Sequence, residues 1–301
     1  MGNKIGEVII TDYRIRATAA GGLLRAVAVQ TTEAARTAQE VHRAWPVAAA
    51  ALGRLVSTAA ILGADFKQDQ ARITVEVSGD GPLGRIVAET RPDGSLRARI
   101  EHSDVDLPLN QVGKLAVGQA VGRQGFFRVL RQDHAGEWYQ SQVELQTGEI
   151  GDDFLHYLAQ SEQIPSAVSV GVLVDEKGLI IGCGGVMAQA LPGCPTDIVD
   201  QVAGQFDHLA HISRRLADGE TLEALIGKLL PEPIRWYEKE PLQWQCWCGR
   251  CNIQATLGTL PESDIDDLIG DGGAEVTCHF CRQAYHFSVD DLKTLADLKS
   301  H

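Results

Sequence analysis

Apolar and polar residues alternate through "YRIRATAAGGLLRAVAVQTT", on both sides of Gly21-Gly22, and this period of two predicts a hairpin. Residues 32–64 change period and read as two helices divided at Pro46. The second is so rich in Ala, Leu and Ile that it should be buried nearly all round. Alternation returns in "ARITVEVSGDGPLGRIVAETRPDGSLRARIEH", with "GDGP" and "RPDGS" as turns, which predicts a three-strand meander. "GFFRVLRQ" and "WYQSQVEL" read as another strand pair, residues 152–162 as a helix, and "SAVSVGVLVDEKGLIIGCGGVMAQAL" as a hairpin of long buried strands.

After "LPGCP" the period changes again. Ile198, Val202, Phe206, Leu209, Ile212 and Leu216 recur at steps of three and four, one face of a single helix. Leu222, Leu225, Ile226 and Leu229 begin another, which should end before "PEP" at 231–233. The plain reading is a helical connector docked on the first domain. The class expected is α+β: an N-terminal mixed core with antiparallel sheets over residues 1–194, a helical linker over 195–240, and a small C-terminal domain over 241–301.

Composition narrows the function. The chain has 301 residues, 44% hydrophobic and 22% charged, ordinary globular values. Its net charge of −13 argues against nucleic-acid binding, which needs a basic face. "MGNKIGEVIITDYRIRATAA" has no apolar core for a leader, Gly6 stands where a myristoylation signal needs Ser or Thr, and uninterrupted apolar runs fall short of a membrane span. The expectation is a cytoplasmic protein, without membrane or nucleic-acid partners, whose thiols rest reduced. There is no G-x-x-x-x-G-K-[ST], G-x-S-x-G or H-E-x-x-H motif, so an enzyme is not expected, and "GDGPLG" belongs to a turn between strands.

Seven cysteines, at 183, 194, 246, 248, 251, 278 and 281, then read as metal ligands or redox groups. Five crowd the tail, as "QCWCGRC" and "CHFC" around a helix-like "LPESDIDDLI". Residues 241–301 carry nine acidic side chains against four basic and only a modest apolar set; a module of this size often needs a metal or disulfides, and two close cysteine pairs match a structural Zn²⁺ site, which makes this a zinc-binding domain. Cys278 and Cys281 supply one pair. For the other, Cys248 with Cys251 has the knuckle spacing and Cys246 with Cys248 is the alternative; residue chemistry leaves both open. His279 and His286 read as flanking residues. A thiol–disulfide enzyme, the main rival, lacks the βαβ context that such a Cys-x-x-Cys needs.

Several stretches in order resemble one family, the redox-regulated heat-shock chaperones called 33 kDa chaperonins: "GDGPLGRIVAE" (79–89), "HSDVDLPLN" (102–110), "TGEIGDDFLHYLAQSEQIPSAVSVGVLVD" (147–175), Gly184-Gly185, "LPG" (191–193) and "DGGAEVTCHFCRQAYHFS" (271–288). The family's Cys-x-Cys and later Cys-x-x-Cys appear here as Cys246-Trp-Cys248, 29 residues, then Cys278-His-Phe-Cys281. The resemblance implies that Cys246, Cys248, Cys278 and Cys281 bind one Zn²⁺ per reduced chain, and that oxidation forms Cys246–Cys248 and Cys278–Cys281 disulfides with zinc release. It further implies that the linker then loosens, and that the active form is a homodimer holding unfolded client proteins without ATP. The linker offers Val202, Phe206, Leu209, Ile212 and Leu216 as a client face. Where the family continues with Ser-Arg-x-Arg this chain has Gly249-Arg250-Cys251-Asn252, so Cys251 is surplus and a potential competitor. Cys183 and Cys194 fall outside the motif and read as buried bystanders.

Overall fold

Strands β1 (Tyr13–Ala19) and β2 (Leu24–Gln30) form the first hairpin, followed by helices α1 (Thr32–His42) and α2 (Pro46–Leu62). The meander is β3 (Gln70–Ser78), β4 (Arg85–Thr90) and β5 (Ser95–Ile100). A short α3 (Val117–Val121) leads to β6 (Phe126–Asp133) and β7 (Trp138–Glu144), then α4 (Ile150–Tyr157), which runs into a π-helical turn at Leu158–Glu162. The long hairpin is β8 (Ser166–Val174) and β9 (Ile180–Ala190). In this computed structural model the described residues are 12–67, 70–206, 209 and 211–299, in two units, Met1–Gln245 and Cys246–His301. The first eleven residues, on which the expectation about a leader falls, lie outside the described residues.

The strands of the first unit build two six-stranded sheets. One runs β1-β2-β9-β8 and the other β5-β4-β3-β6-β7, with neighbours antiparallel throughout those paths. Helix α2 contacts β8 and β9 of the first sheet and β3, β4 and β5 of the second. This explains its composition, because a helix faced by sheets on both sides needs small apolar residues all round. By length and mean hydropathy (1.7) Pro46–Asp65 reaches the range of a membrane span, which counting uninterrupted apolar runs missed; 94% of that window is buried inside the fold. "GDGPLG" is a turn packed on α3, with Gly81 N–H donating to Val121 O (2.9 Å) and Leu83 N–H to Ala120 O (3.0 Å).

The connector differs from the single helix that the apolar spacing predicts. It comprises α5 (Thr196–Phe206), α6 (Ile212–Ala217) and α7 (Leu222–Leu229). His211 lies at φ 66°, the left-handed region, and this breaks the helix before α6. The period of three and four survives because each piece lays its own apolar side on the same sheet. Val202, Leu209, Ile212, Leu216, Leu222, Leu225, Ile226 and Leu229 join β1, β2 and β9 side chains in a second core. Helix α6 sits hard on glycines: a Cβ on Gly182 would come 2.2 Å from Ser213 O, and one on Gly184 2.4 Å from Leu216 Cδ1. Thr221 caps α7 by accepting from Ala224 N–H (3.2 Å), and Tyr13 ties α7 to β1 through Leu222 N–H (3.2 Å) and Glu223 Oε2 (2.9 Å).

Beyond α7 the chain stitches both sheets. Strands β10 (Arg235–Trp236) and β11 (Glu240–Pro241) pair with β1, and β12 (Gln243–Trp244) pairs parallel with β5. Glu240 accepts from Arg16 Nη2 (2.8 Å) and also pairs with Arg14. The second unit holds α8 (Arg250–Leu257), α9 (Glu262–Gly270), the hairpin β13 (Ala274–Thr277) with β14 (Ala284–Phe287), and α10 (Val289–Lys299). Its buried core is Leu257, Ile265, Phe287, Leu292 and Leu295, with Cys278 also buried.

Candidate metal centre

Cys246 and Cys248 are alternate residues of the segment that precedes α8, and both sulfurs join one group. Cys278 and Cys281 lie in the loop between β13 and β14. That loop is closed by Cys278 N–H donating to Gln283 O and Arg282 N–H donating to Cys278 O, both 2.9 Å, with Arg282 at φ 60°. These two local devices bring four sulfurs together within 4.8 Å of one another. Cys246 Sγ faces Cys278 Sγ at 3.8 Å, and Cys248 Sγ faces Cys281 Sγ at 3.3 Å. All four are free thiols, far beyond the ~2.05 Å of a disulfide.

A tetrahedral ion with metal–sulfur bonds of about 2.3 Å spaces its sulfurs about 3.8 Å apart. The observed separations fit that requirement, so Cys246, Cys248, Cys278 and Cys281 can hold a metal ion. Electrostatics points the same way. Burial raises the Cys248 thiol, but hydrogen bonds from Tyr285 Oη (3.1 Å) and from the neighbouring sulfurs outweigh it and hold it below the ordinary thiol range. Burial, with those same sulfurs, drives Cys281 upward. Four thiols at this spacing cannot all ionise without a cation among them, and a divalent ion would supply the complementary charge.

Arg250 braces the site from the first turn of α8. Its guanidinium stacks 4.4 Å from the Phe287 ring, donates to His286 O, and pairs with Asp291 at 2.9 Å. The Ser288 hydroxyl and N–H, then Arg250, hold Asp291 below the usual carboxylate range. Cys251 is the next residue of α8; it is exposed and outside the four-sulfur group. His279 is exposed, and His286 sits 3.2 Å from Glu275 instead of in the cluster.

The other predicted residues lie in the first unit. Val202, Leu209, Ile212 and Leu216 are buried, and Phe206 is half-buried against the same core. Beside α5 is an apolar cavity of about 550 Å³, lined by Leu24, Leu155, Ile164, Ala188, Val199 and Val202. Cys183 is fully buried against Ser57 Oγ and Thr31 Oγ1 (both 3.3 Å), and burial pushes its thiol up to about 11. Cys194 is half-buried. Sequence reasoning missed Tyr285 and Arg250. The available signals were a tyrosine in an alternating run four residues after Cys281 and an arginine between two cysteines.

The Hsp33 protein family model matches residues 12–288. The chain is similar to the 33 kDa chaperonin of Listeria monocytogenes, 40% identical over 290 residues covering 95% of this chain and 98% of that one. It is 37% identical over 287 residues to the 33 kDa chaperonin of Bacillus subtilis, covering 95% and 98%. A crystal structure of the 33 kDa chaperonin of Thermotoga maritima matches with a TM-score of 0.84 and 31% identity, over 96% of this chain and 99% of that one. With its mixed sheets, connector helices and four-thiol cluster, the chain belongs to the Hsp33 protein family, whose members are chaperones and not enzymes.

Proposed function

We propose that this chain is a redox-regulated, ATP-independent holdase, inactive when reduced and switched on by oxidation of its metal-binding thiols. The observation that carries the reading is the joining of two sequence-distant thiol pairs into one four-sulfur group inside a unit whose described residues form a core of five buried apolar side chains. An all-sulfur tetrahedral set selects zinc or iron, and the family pattern selects zinc, one per chain. Bound zinc would hold Cys246, Cys248, Cys278 and Cys281 as thiolates and tie the two halves of the unit together, a tie of about 10–16 kcal/mol in finger-type peptides.

Those thiolates are also what an oxidant attacks. Disulfide Cys278–Cys281, and an upstream one at Cys248 for which the family pattern supplies Cys246, each close almost no chain and add little long-range constraint. Oxidation thus replaces one long-range clamp by two local loops, and residues 241–301 unfold. The linker, residues 195–240, loosens next, and Val202, Phe206, Leu209, Ile212 and Leu216 become the surface that holds unfolding clients. Residues 1–194 remain folded and dimerise in the active form. The setting is a cytoplasm under oxidative and heat stress.

Peroxide with mild heat should release zinc and start suppression of client aggregation without nucleotide, while the reduced, zinc-loaded protein stays passive. Equal suppression by the reduced protein would overturn the switch.

A further inference from the structure

Strand β8 is the outer strand of its sheet, and nothing in its sequence guards that edge. Natural proteins blunt open edges with charges, proline, bulges or short strands. "SAVSVGVLV" runs nine residues without a charge or a proline, and its one register shift comes at the far end, between Leu173 and Val174. We propose that the β8 edge is a docking site for an extended, acidic segment of an unfolding client, which adds to the sheet as a further strand. The proposal rests on the holdase reading above and deepens it by naming a site outside the linker face and the chemistry that the site takes.

The register identifies the groups on offer. Ala190 N–H donates to the Pro165 oxygen opposite it (2.9 Å), and bonded and non-bonded pairs alternate along an antiparallel ladder from there. Ala167, Ser169, Gly171 and Leu173 therefore direct their N–H and C=O to β9, while Ser166, Val168, Val170 and Val172 turn theirs outward. Among the described residues these outward groups have no backbone partner. They repeat about every 6.8 Å, the spacing a further strand would match. The side chains of Val168, Val170 and Val172 pack against the first core, which holds the edge in place.

The surroundings select the occupant. A groove of about 650 Å³ follows Ser169–Val174 and is lined also by Leu109 and Lys114 of the loop before α3, by Arg54 of α2 and by Arg214 of α6. No carboxylate lines it among the described residues. Arg54 is matched by Glu149, but Lys114 and Arg214 are exposed and have no acidic partner among the described residues. In a chain of net charge −13 this is a local cationic site, and Leu109, 60% exposed, adds apolar surface to it. A second copy would bring the same lysine and arginine to the edge, so like charges oppose β8–β8 pairing. Carboxylates on an extended peptide complement both cations while its backbone completes the ladder. Arg214 and its helix belong to the linker, whose Ile212 Cγ2 would stand 3.2 Å from a Cβ on Gly171. Loosening of the linker therefore widens the groove and uncovers that face of β8 for the added strand.

The probe is an acetylated, amidated octapeptide of alternating valine and glutamate, with lysine in place of glutamate as its control. Residue-resolved amide exchange is followed by NMR on the full-length protein, zinc-loaded and after peroxide, with client aggregation measured in parallel. In the free protein Val168, Val170 and Val172 should exchange fast and Ala167, Ser169 and Gly171 slowly. The acidic peptide should slow the three valines, bind more tightly after peroxide, and lose about tenfold in affinity in the double variant Lys114→Glu, Arg214→Glu; the lysine peptide should do none of this. The proposal is overturned if neither peptide binds, if both bind alike, if the acidic peptide binds without slowing the valine amides, or if those amides become protected simply as protein concentration rises, which would make a second copy the occupant. Oxidised protein that suppresses aggregation without these amide changes keeps the holdase reading and ends the site. Edge protection by the acidic peptide in an oxidised protein that holds no client keeps the site and ends the redox reading.

Discussion

Tyr285 donates its hydroxyl to Cys248 Sγ at 3.1 Å, and removing that donor tests how far the protein stabilises a ligand sulfur. Outer hydrogen-bond partners of metal ligands are typically worth about 10–100-fold in metal affinity. Tyr285→Phe should therefore weaken zinc binding by about tenfold in competition with a chromophoric chelator; unchanged affinity would make the contact incidental. In the first unit, burial pushes the Asp12 carboxyl from 3.8 up to about 6, even though it accepts from Ala34 N–H (2.7 Å) and Glu33 N–H (3.1 Å) at the start of α1. The folded chain then binds this proton more tightly than the unfolded chain does. Its stabilising contribution, about 3 kcal/mol, is full below about pH 4 and is lost as pH rises through about 6. Asp12→Asn should remove that fall from urea-unfolding free energies measured across the window; an undiminished fall would assign it to other carboxylates. At this scale the sequence was legible where chemistry is local. Cys278 and Cys281 stand out by spacing; beside Cys248 residue chemistry left Cys246 and Cys251 open and the family resemblance pointed to Cys246, which joins the four-sulfur group, whereas Tyr285 needed the β13–β14 register.

Among the elements, α6 is the most exposed to a single change in its seat. An alanine at Gly182 would place Cβ 2.2 Å from the Ser213 carbonyl oxygen, a contact with backbone that no side-chain rotation relieves. Gly182→Ala should lift α6 from β9, raising amide exchange across Ile212–Ala217, read by mass spectrometry. If the linker face holds clients, the same variant should suppress aggregation in part while reduced and zinc-loaded. Faster exchange without any holding activity would detach function from this face. Apolar spacing identified Val202, Ile212 and Leu216, the apolar residues that α5 and α6 bury among the described residues, because packing on a sheet requires it; Ser213, also buried, carries no such signal. It did not show the break at His211, which follows from backbone geometry and leaves the period intact. Nor did it show β10, β11 and β12, since strands of two residues carry no period of their own.

For the whole molecule the deciding contrast is between the cores of the two units. The first unit wraps two sheets around α2 and adds a second core under the linker, whereas Cys246–His301 buries Leu257, Ile265, Phe287, Leu292 and Leu295 besides Cys278. Composition announced the second unit's weakness, an acidic tail with few apolar residues and many cysteines, while the wrapping of α2 was hidden because a period names a face and not its partner. Four fully buried linker side chains, Val202, Leu209, Ile212 and Leu216, represent about 6–12 kcal/mol of burial, so the linker does not open on its own. The small unit's five buried side chains come to about 8–15 kcal/mol at the same rate, but they have to order a whole unit and not three helices laid on a folded sheet; that sum offsets the ordering of about ten residues at most, so packing alone is a weak hold. Chelating zinc under full reduction should therefore melt α8, α9 and α10, seen as lost helical circular dichroism, while amides of α2 and β9 stay protected. Returning zinc should restore the signal. A chelated, reduced protein that kept protection at Ile265 and Leu292 would show that side-chain packing alone holds the unit, and oxidation would then have no clamp to remove.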